Sequence, residues 1–390
     1  MQKSNAFRED DMRIGMISTY PPIECGIATY TQYLTDALRK ERNDIYLVSH
    51  IGSSGRQVFP CFDYEDGDLA EKAYSTMVRF TPDVVHIQHE FGLFGKFAGV
   101  SVVPLILRFR LTGIPVVTTL HTVYRDPPEA HRLILQSVLL HSNKVIVHED
   151  FQRETLRQLA PFALSDHIRI IPHGARELDP VPDARAQLRL PADKKIILMI
   201  GYFRPSKNFD LIVDLLPDIL QAYPDAVLVI AGKTRGNEHL QYRKHLFGKI
   251  KHSPVNDHIY LIRGQLKQEV FDTILSAADV VVLPYTINSQ SGILAHAMAF
   301  GRPVVASSSG AMKGILTRSG AGLASESERE FVENIARVLA DEDFASRLSA
   351  NARRYVREVI SWAHIARQHM DIYRGFIDNA FLDSRTIWVE

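Results

Sequence analysis

Asn288-Ser-Gln-Ser-Gly-Ile-Leu-Ala-His-Ala-Met-Ala-Phe-Gly-Arg-Pro-Val-Val-Ala-Ser307 is the stretch that decides the fold. It reads as a helix start, a short helix over Ile293–Phe300, and a return into a buried strand, Pro303–Ser307. Ser289 and Ser291 are candidate N-caps, able to accept from first-turn amides. Gly292 allows a ligand close to the backbone. Gly301 suits the position just past the helix end, and Pro303 follows as a stop signal. An apolar strand, Asp279-Val-Val-Val-Leu-Pro-Tyr285, runs directly into the loop. The free N–H groups of such a helix start form an anion site, and the C-terminal end of a parallel strand is where α/β folds bind ligands.

Outward from this stretch, the same rhythm fills the chain. In the first half the candidate strands are Arg13–Ser18, Ile45–Ser49, Val84–Ile87, Pro115–Leu120, Lys144–Val147 and Ile168–Ile171, with helices over Ile27–Lys40 and Asp150–Leu159. A segment rich in Pro, Asp and Arg, Ala175–Lys195, reads as a linker with a short helix. A second series follows, with strands Ile196–Ile200, Ala226–Ala231, Ile259–Ile262, Asp279–Leu283 and Pro303–Ser307 and helices Asn208–Tyr223, Lys267–Ala277 and Ile293–Phe300. Strands alternating with helices imply parallel sheets covered on both faces. The expectation is therefore two doubly wound, Rossmann-like α/β domains, each large enough for its own core. Ser361–Tyr373 has the spacing of an amphipathic C-terminal helix.

Composition narrows the function classes. The 390 residues carry 45 basic and 45 acidic side chains, which argues against nucleic acid as the main partner. Cys25 and Cys61 are the two cysteines and suggest free thiols in a reducing compartment. Met1–Asp11 is polar and no apolar run approaches transmembrane length, so the expected location is the cytoplasm.

The His296-Ala-Met-Ala-Phe-Gly301-Arg-Pro-Val-Val run resembles the donor-sugar loop of retaining GT-B glycosyltransferases, family 4, and a mannosyltransferase-like branch in particular. The family usually has Glu, seven residues, then Glu before Ala-Met-Ala-x-Gly; here Asn288 and His296 hold those two positions. The second Glu accepts from ribose hydroxyls in the family, whereas a neutral His accepts through one ring nitrogen only. The resemblance covers Arg13 to Tyr373. It implies a domain over residues 1–178 on the acceptor side, completed by a crossover helix within 361–390, facing across a cleft a nucleotide-sugar domain over 179–360.

Met199-Ile-Gly201-Tyr-Phe-Arg204-Pro-Ser-Lys207 places two cations after a buried strand, a geometry suited to a pyrophosphate leaving group. The family's Arg-x-x-Lys pair holds the donor diphosphate, which assigns that role to Arg204 and Lys207. Gly26, in Thr19-Tyr-Pro-Pro-Ile-Glu-Cys-Gly26, is either an ordinary turn glycine or a backbone contact for phosphate or sugar; the family's matching loop supports the latter. His121, after the strand Pro115–Leu120, matches a family histidine that contacts the donor sugar near the reacting carbon, an orienting role rather than that of a base. The resemblance also places Gly201, Arg263, Asn288, Ser289, Gln290, Ser291, Gly292, Ile293 and His296 about the donor, with His296 on the ribose.

His86-Ile-Gln-His89-Glu90 is not the His-Glu-x-x-His helix pattern, so no metal is assigned to it. His89 or Glu90 beside the acceptor, and a turn satisfying its own backbone, both stay open. Gly232-Lys-Thr234 resembles the end of a P-loop, but Val227 stands where the earlier Gly is required. Phe97–Arg110 reads as a buried crossover helix interrupted by Pro104, or as a surface for peripheral membrane contact with a lipid-linked acceptor. The resemblance thus implies hexosyl transfer, mannose from GDP-mannose favoured, to a hydroxyl of a glycan or glycolipid, with no cofactor and no metal. A nucleotide-sugar epimerase and a non-catalytic nucleotide- or glycan-binding scaffold are the alternatives.

Overall fold

The computed structural model describes residues 12–161, 166–233, 239–264, 266–286 and 292–385. The chain divides into two compact units, residues 1–174 with 362–390 and residues 175–361. The first unit holds seven parallel strands: β1 (Arg13–Ile17), β2 (Asp44–His50), β3 (Val58–Phe62), β4 (Val84–His89), β5 (Val116–Leu120), β6 (Lys144–Val147) and β7 (Ile168–Ile170), in the order β3-β2-β1-β4-β5-β6-β7. The second holds six: β8 (Lys195–Tyr202), β9 (Ala226–Lys233), β10 (Ile259–Arg263), β11 (Val280–Leu283), β12 (Val304–Ser307) and β13 (Gly322–Ser325), in the order β10-β9-β8-β11-β12-β13. In each sheet the order reverses beside the first strand, at β1/β4 and β8/β11. Such switch points are where doubly wound folds open a crevice at the strand ends.

The central strands bury nearly every side chain because helices cover both faces. Ile196 to Ile200 are at most 2% exposed and feed two cores, one on each side of the sheet. A full burial of such a side chain contributes roughly 1.5–3 kcal/mol.

One device recurs in both units and fixes the register at the switch point. Asp83, just before β4, accepts from the Arg13 amide at 2.7 Å and pairs with the Arg13 guanidinium at 3.3 Å. Asp279, just before β11, accepts from the Ile196 amide and from Arg185, both at 2.6 Å. An aspartate ahead of a Val-Val pair thus clasps the start of the neighbouring first strand. Asp279 therefore stands outside β11, one residue short of the strand expected from sequence.

The structure corrects several other expectations. β3 and β13 lack a long apolar run and were not foreseen, nor were the helices Leu69–Met77, Glu129–His141, Leu240–His252, Gly310–Ser319, Glu328–Ala340 and Glu342–Tyr355. Residues 175–195 do include the expected short helix, Ala184–Gln187, but are not a loose linker. Arg176 holds Asp272 through two bonds of 2.9 and 2.5 Å, and Ala175, Ala184 and Leu190 join the core of the second unit. Pro104 does not interrupt its helix: it lies in the first turn of Val102–Leu111, where a missing N–H costs little. That helix buries Val102, Leu105, Ile106 and Phe109, as a crossover helix should, and leaves Leu111 exposed at its end; it starts later than expected, since exposed Phe97 lies in the preceding segment Lys96–Gly99 with left-handed backbone.

The C-terminal helix, Trp362–Arg385, belongs to the first unit. Trp362 packs edge-on against Tyr30 of the helix Gly26–Lys40, and Met370 Sδ lies 3.3 Å from the Asn43 amide. Ala175 and Ser361, the first and last residues of the second unit, pair side by side.

Candidate functional site

In the second unit, Gly201 is the last residue but one of β8, at a φ of 151°, with Gly232 of β9 beside it. A Cβ on Gly232 would lie 2.4 Å from the Gly201 carbonyl, so the two glycines let β8 and β9 close tightly under the following loop. Arg204 opens a single 3₁₀ turn, Pro205–Lys207, closed by Lys207 and Asn208 amides donating to Arg204 and Pro205 carbonyls at 3.0 Å each. Asn208 takes the left-handed conformation its residue type tolerates and starts the helix Phe209–Ala222.

Both cations of this turn lie on aromatic faces. Lys207 Nζ is 3.5 Å from the centre of the Tyr285 ring, and the Arg204 guanidinium is 5.5 Å from that of Tyr202. Among the described residues neither cation has a carboxylate partner. Burial, with Arg204 as a second cause, lowers the Lys207 pKa to about 7. The Thr286 amide donates to the Ser206 carbonyl at 3.2 Å, tying the loop after β11 to the turn after β8. The two loops of the switch point are therefore one body, with a pair of uncompensated cations on it. Such a body is built for a polyanion.

The remaining donor-side candidates are placed differently. Gly292 and Ile293 open the helix Gly292–Ala299, Ile293 packs on the core, and half-buried His296 meets Phe271 edge-on at 5.2 Å. Gly301 stands past the helix end at a φ of 61°, as its position in the sequence required. Arg263 ends the edge strand β10, with β9 between it and β8, and lies over Phe247 rather than beside Arg204. Asn288, Ser289, Gln290 and Ser291 lie outside the described residues, as do Thr234 and Gln265.

In the first unit, polar side chains crowd the ends of β4, β5 and β6, beside that unit's switch point. Gly26 opens the helix after β1, with Cys25 as N-cap and open space where a Cβ would stand. His121 is 1% exposed. Its Nε2 lies 2.9 Å from Gln88 Oε1 and its Nδ1 3.3 Å from His148 Nε2, while the Tyr30 ring meets it edge-on at 4.7 Å. Burial, reinforced by His148, His173, His86 and His89, holds its pKa well below the usual histidine value.

His89 is fully buried between Phe91 and Phe94, and neither of its ring nitrogens has a hydrogen-bond partner among the described residues. Burial lowers its pKa to about 3. Glu90 accepts from the Phe91 amide at 3.1 Å and from Thr122 at 2.6 Å, which joins the loop after β4 to the loop after β5. The structure thus brings His121, His89 and Glu90 to one rim. Sequence reasoning missed Gln88, His148, Tyr202 and Tyr285. His148 had a readable signal, since it follows β6 as His121 follows β5. Among the described residues no group of three His, Cys, Asp or Glu side chains is arranged to hold a metal.

The family described as Glycosyltransferase Family 4 matches residues 25–176, and that described as Glycosyl transferases group 1 matches residues 181–355. The chain belongs to glycosyltransferase family 4. Phosphatidyl-myo-inositol mannosyltransferase of Mycobacterium leprae is 24% identical over 377 residues, 93% of this chain and 96% of that protein. D-inositol 3-phosphate glycosyltransferase of a Nocardioides species is 26% identical over 289 residues, 67% of this chain and 62% of its own length. Against the putative glycosyltransferase YtcC of Bacillus subtilis, 27% identical over 47% of this chain, the match spans 46% of that protein.

Among solved structures, sucrose-phosphate synthase from Thermosynechococcus elongatus superposes with a TM-score of 0.77 at 20% identity, over 94% of this chain and all of that one. WaaG, a glycosyltransferase involved in lipopolysaccharide biosynthesis, gives 0.66 at 14% identity, over 93% of this chain and 100% of that one. These likenesses place the fold as GT-B.

Proposed function

We propose that the protein is a retaining glycosyltransferase that moves a hexose from a nucleoside-diphosphate sugar to a hydroxyl of a glycan or lipid-linked acceptor. Mannose from GDP-mannose is the favoured donor, supported by the near full-length match to a mannosyltransferase and by the mannosyltransferase-like donor loop. The observation that carries the reading is the Arg204–Lys207 pair: two cations on ring faces at a switch point, with no carboxylate partner among the described residues.

A bound diphosphate would restore the Lys207 proton that burial disfavours, and Arg204 would add a planar fork. As the anomeric C–O bond breaks, negative charge grows on the leaving phosphate, so the pair acts most strongly in the transition state. The acceptor oxygen forms the new bond on the same face, and its proton passes to an oxygen of the leaving diphosphate. No metal enters this scheme, because the two cations and the amides of the donor loop supply the charge.

Asn288, Ser289, Gln290, Ser291, Gly292, Ile293 and His296 would hold the sugar and ribose, with Gly201 and Arg263 lining the nucleotide. His121 would orient the sugar, Gly26 would meet it through its amide, and His89 and Glu90 would face the acceptor. The two ring nitrogens of His89 without partners support that last assignment. No helix among the described residues is long and apolar enough to cross a membrane. Contact with a lipid-linked acceptor would then be peripheral, and we place the reaction in the cytoplasm.

Calorimetric titration with GDP, UDP, ADP and NAD at equal concentration tests the reading. GDP preference that disappears in Arg204→Ala supports it, and UDP or ADP preference replaces the donor. Absence of binding by all four overturns it in favour of a scaffold.

A further inference from the structure

The helix Phe209–Ala222 begins directly after the Arg204–Lys207 turn, and its first amide is capped from outside. Asn208 supplies no side-chain cap. The Phe209 amide instead donates to Tyr242 Oη at 2.9 Å, and the Tyr242 hydroxyl donates to Asp210 Oδ1 at 2.6 Å. Tyr242 belongs to the helix Leu240–His252, which packs Leu246 and Phe247 on the core of Phe203 and Phe209. One turn after Asp210, Asp214 is held at 2.5 Å by Lys249 of that same helix. The first two acidic side chains after the turn are thus both taken by the neighbouring helix.

The direction of these bonds follows from the partners. An amide only donates and an ionised carboxylate only accepts, so the phenol oxygen accepts from Phe209 and gives its own proton to Asp210. Burial, with Asp210 as a second cause, raises the Tyr242 pKa, so the hydroxyl keeps that proton.

Asp210 is the acidic residue closest in the chain to either cation, three positions after Lys207 and six after Arg204. Across a helical turn, three positions is a spacing at which Asp and Lys pair. The pair is not made here. Lys207 Nζ lies on the Tyr285 ring, and apart from burial the group that acts on it is Arg204. The charged and titratable groups on the elements around Lys207 are Arg204 on its own turn, Tyr285 after β11, Asp210 on the following helix and Tyr242 on the next. A carboxylate released toward Lys207 would engage the ammonium and set a negative charge where a polyanion has to bind.

We propose that Tyr242 is a positioning residue that holds Asp210 away from Lys207 and so keeps the Arg204–Lys207 turn open to a polyanion. The consequence for nucleotide binding rests on the diphosphate reading above; the control of Lys207 by Tyr242 does not.

The experiment follows Lys207 by NMR in full-length protein labelled with ¹³C at lysine Cε, without nucleotide; the signal missing in Lys207→Met is that of Lys207. Wild type is expected to titrate near pH 7. Tyr242→Phe keeps the ring and loses the hydroxyl, so Asp210 is released and the Lys207 midpoint should rise by about one unit or more. Adding Asp210→Asn to Tyr242→Phe should return it to the wild-type value, a reversal that loosening of the helix alone does not produce. Asp210→Asn by itself should leave the midpoint in place, and serves if Tyr242→Phe fails to fold. A wild-type midpoint at the ordinary lysine value overturns the proposal. So does a midpoint that is unmoved in Tyr242→Phe, that does not return in the double variant, or that falls by about a unit in Asp210→Asn alone. Calorimetry with GDP at pH 6.5, where Lys207 is mostly charged in every variant, reads the consequence. Tyr242→Phe should weaken binding about tenfold and the double variant restore it to within about twofold. If the midpoints move as expected and GDP fails to bind the wild type, the hold on Asp210 stands and the diphosphate reading falls.

Discussion

Mild acid should unfold the first unit while the second stays folded. His86, His89, His121, His148 and His369, five side chains all in the first unit, are at most 1% exposed. Burial pushes His86 and His121 well below the usual histidine value, His89 and His148 to about 3, and His369 to about 4. A depressed histidine means that the unfolded chain binds a proton the folded chain refuses. Stability is therefore full above about pH 6.5 and falls as pH drops through the window between 6.5 and the folded values. At pH 5.5 each group costs about 1.4 kcal/mol, so five cost about 7 kcal/mol, comparable with the whole stability of a domain. Among the described residues the second unit buries no histidine to that degree.

Trp362 packs in the first unit against Tyr30, so its fluorescence in a Trp388→Phe background follows that unit alone. The expected result is a steep transition between about pH 5 and 6, with uptake of at least about five protons, His173 at about 4 adding to the five, while far-UV dichroism retains the second unit. His369→Met removes one titrating group that is not among the residues assigned to sugar transfer. Normalised to its stability at pH 8, it should lower the acid midpoint by about 0.3 units and the uptake by about one proton. A first unit still folded at about pH 4.5, or the same midpoint and uptake in His369→Met, refutes the reasoning.

Further outcomes follow from the second unit. Lys207 has a pKa of about 7, so diphosphate binding at pH 8 should take up about 0.9 proton, and affinity should fall nearly tenfold per unit above that; calorimetry in buffers of differing ionisation enthalpy reads both. Lys207→Met should raise the melting temperature and abolish transfer, because it removes a buried charge that serves only the ligand. Gly232→Ala puts a Cβ 2.4 Å from the Gly201 carbonyl and 2.8 Å from Phe203, which should cost about 1–3 kcal/mol in denaturant titration and weaken nucleotide binding. Arg176→Met breaks a two-bond pair with Asp272 and should lower the melting temperature of the second unit without altering Kd for nucleotide.

The architecture was legible because its strongest elements are long apolar runs with turn residues at each end. Ile196–Ile200 and Asp279–Leu283 announce buried parallel strands, and Gly301 with Pro303 announces where a helix must stop. β13 escaped because Gly322-Leu-Ala-Ser325 has little apolar character of its own; Gly322 is required there since a Cβ would meet the Val304 carbonyl. The outer helices escaped because their apolar stripes are narrow and alternate with charge, as in Glu342–Tyr355. Arg204 and Lys207 were singled out from their spacing after a strand, and the structure places both on the turn that follows β8. Their settings were not, because Tyr285 comes from β11, a neighbour in space rather than in sequence. Gln88 and Tyr242 were invisible for the same reason, Gln88 meeting His121 across paired strands and Tyr242 meeting Asp210 across packed helices.

The two units meet opposite electrostatic demands with opposite solutions. If the second unit holds a diphosphate, the ligand's fixed charge would offset that of Arg204 and Lys207, which among the described residues have no carboxylate partner, and the cost of burying Lys207. A sugar and an acceptor hydroxyl carry none, and the carbon between them becomes positive as transfer proceeds. A buried imidazolium near that carbon would oppose the reaction, whereas a neutral ring would not. Burying five histidines to at most 1% exposure disfavours their charged forms. The same burial leaves hydrogen-bond direction, rather than charge, as the property that distinguishes one imidazole from the next.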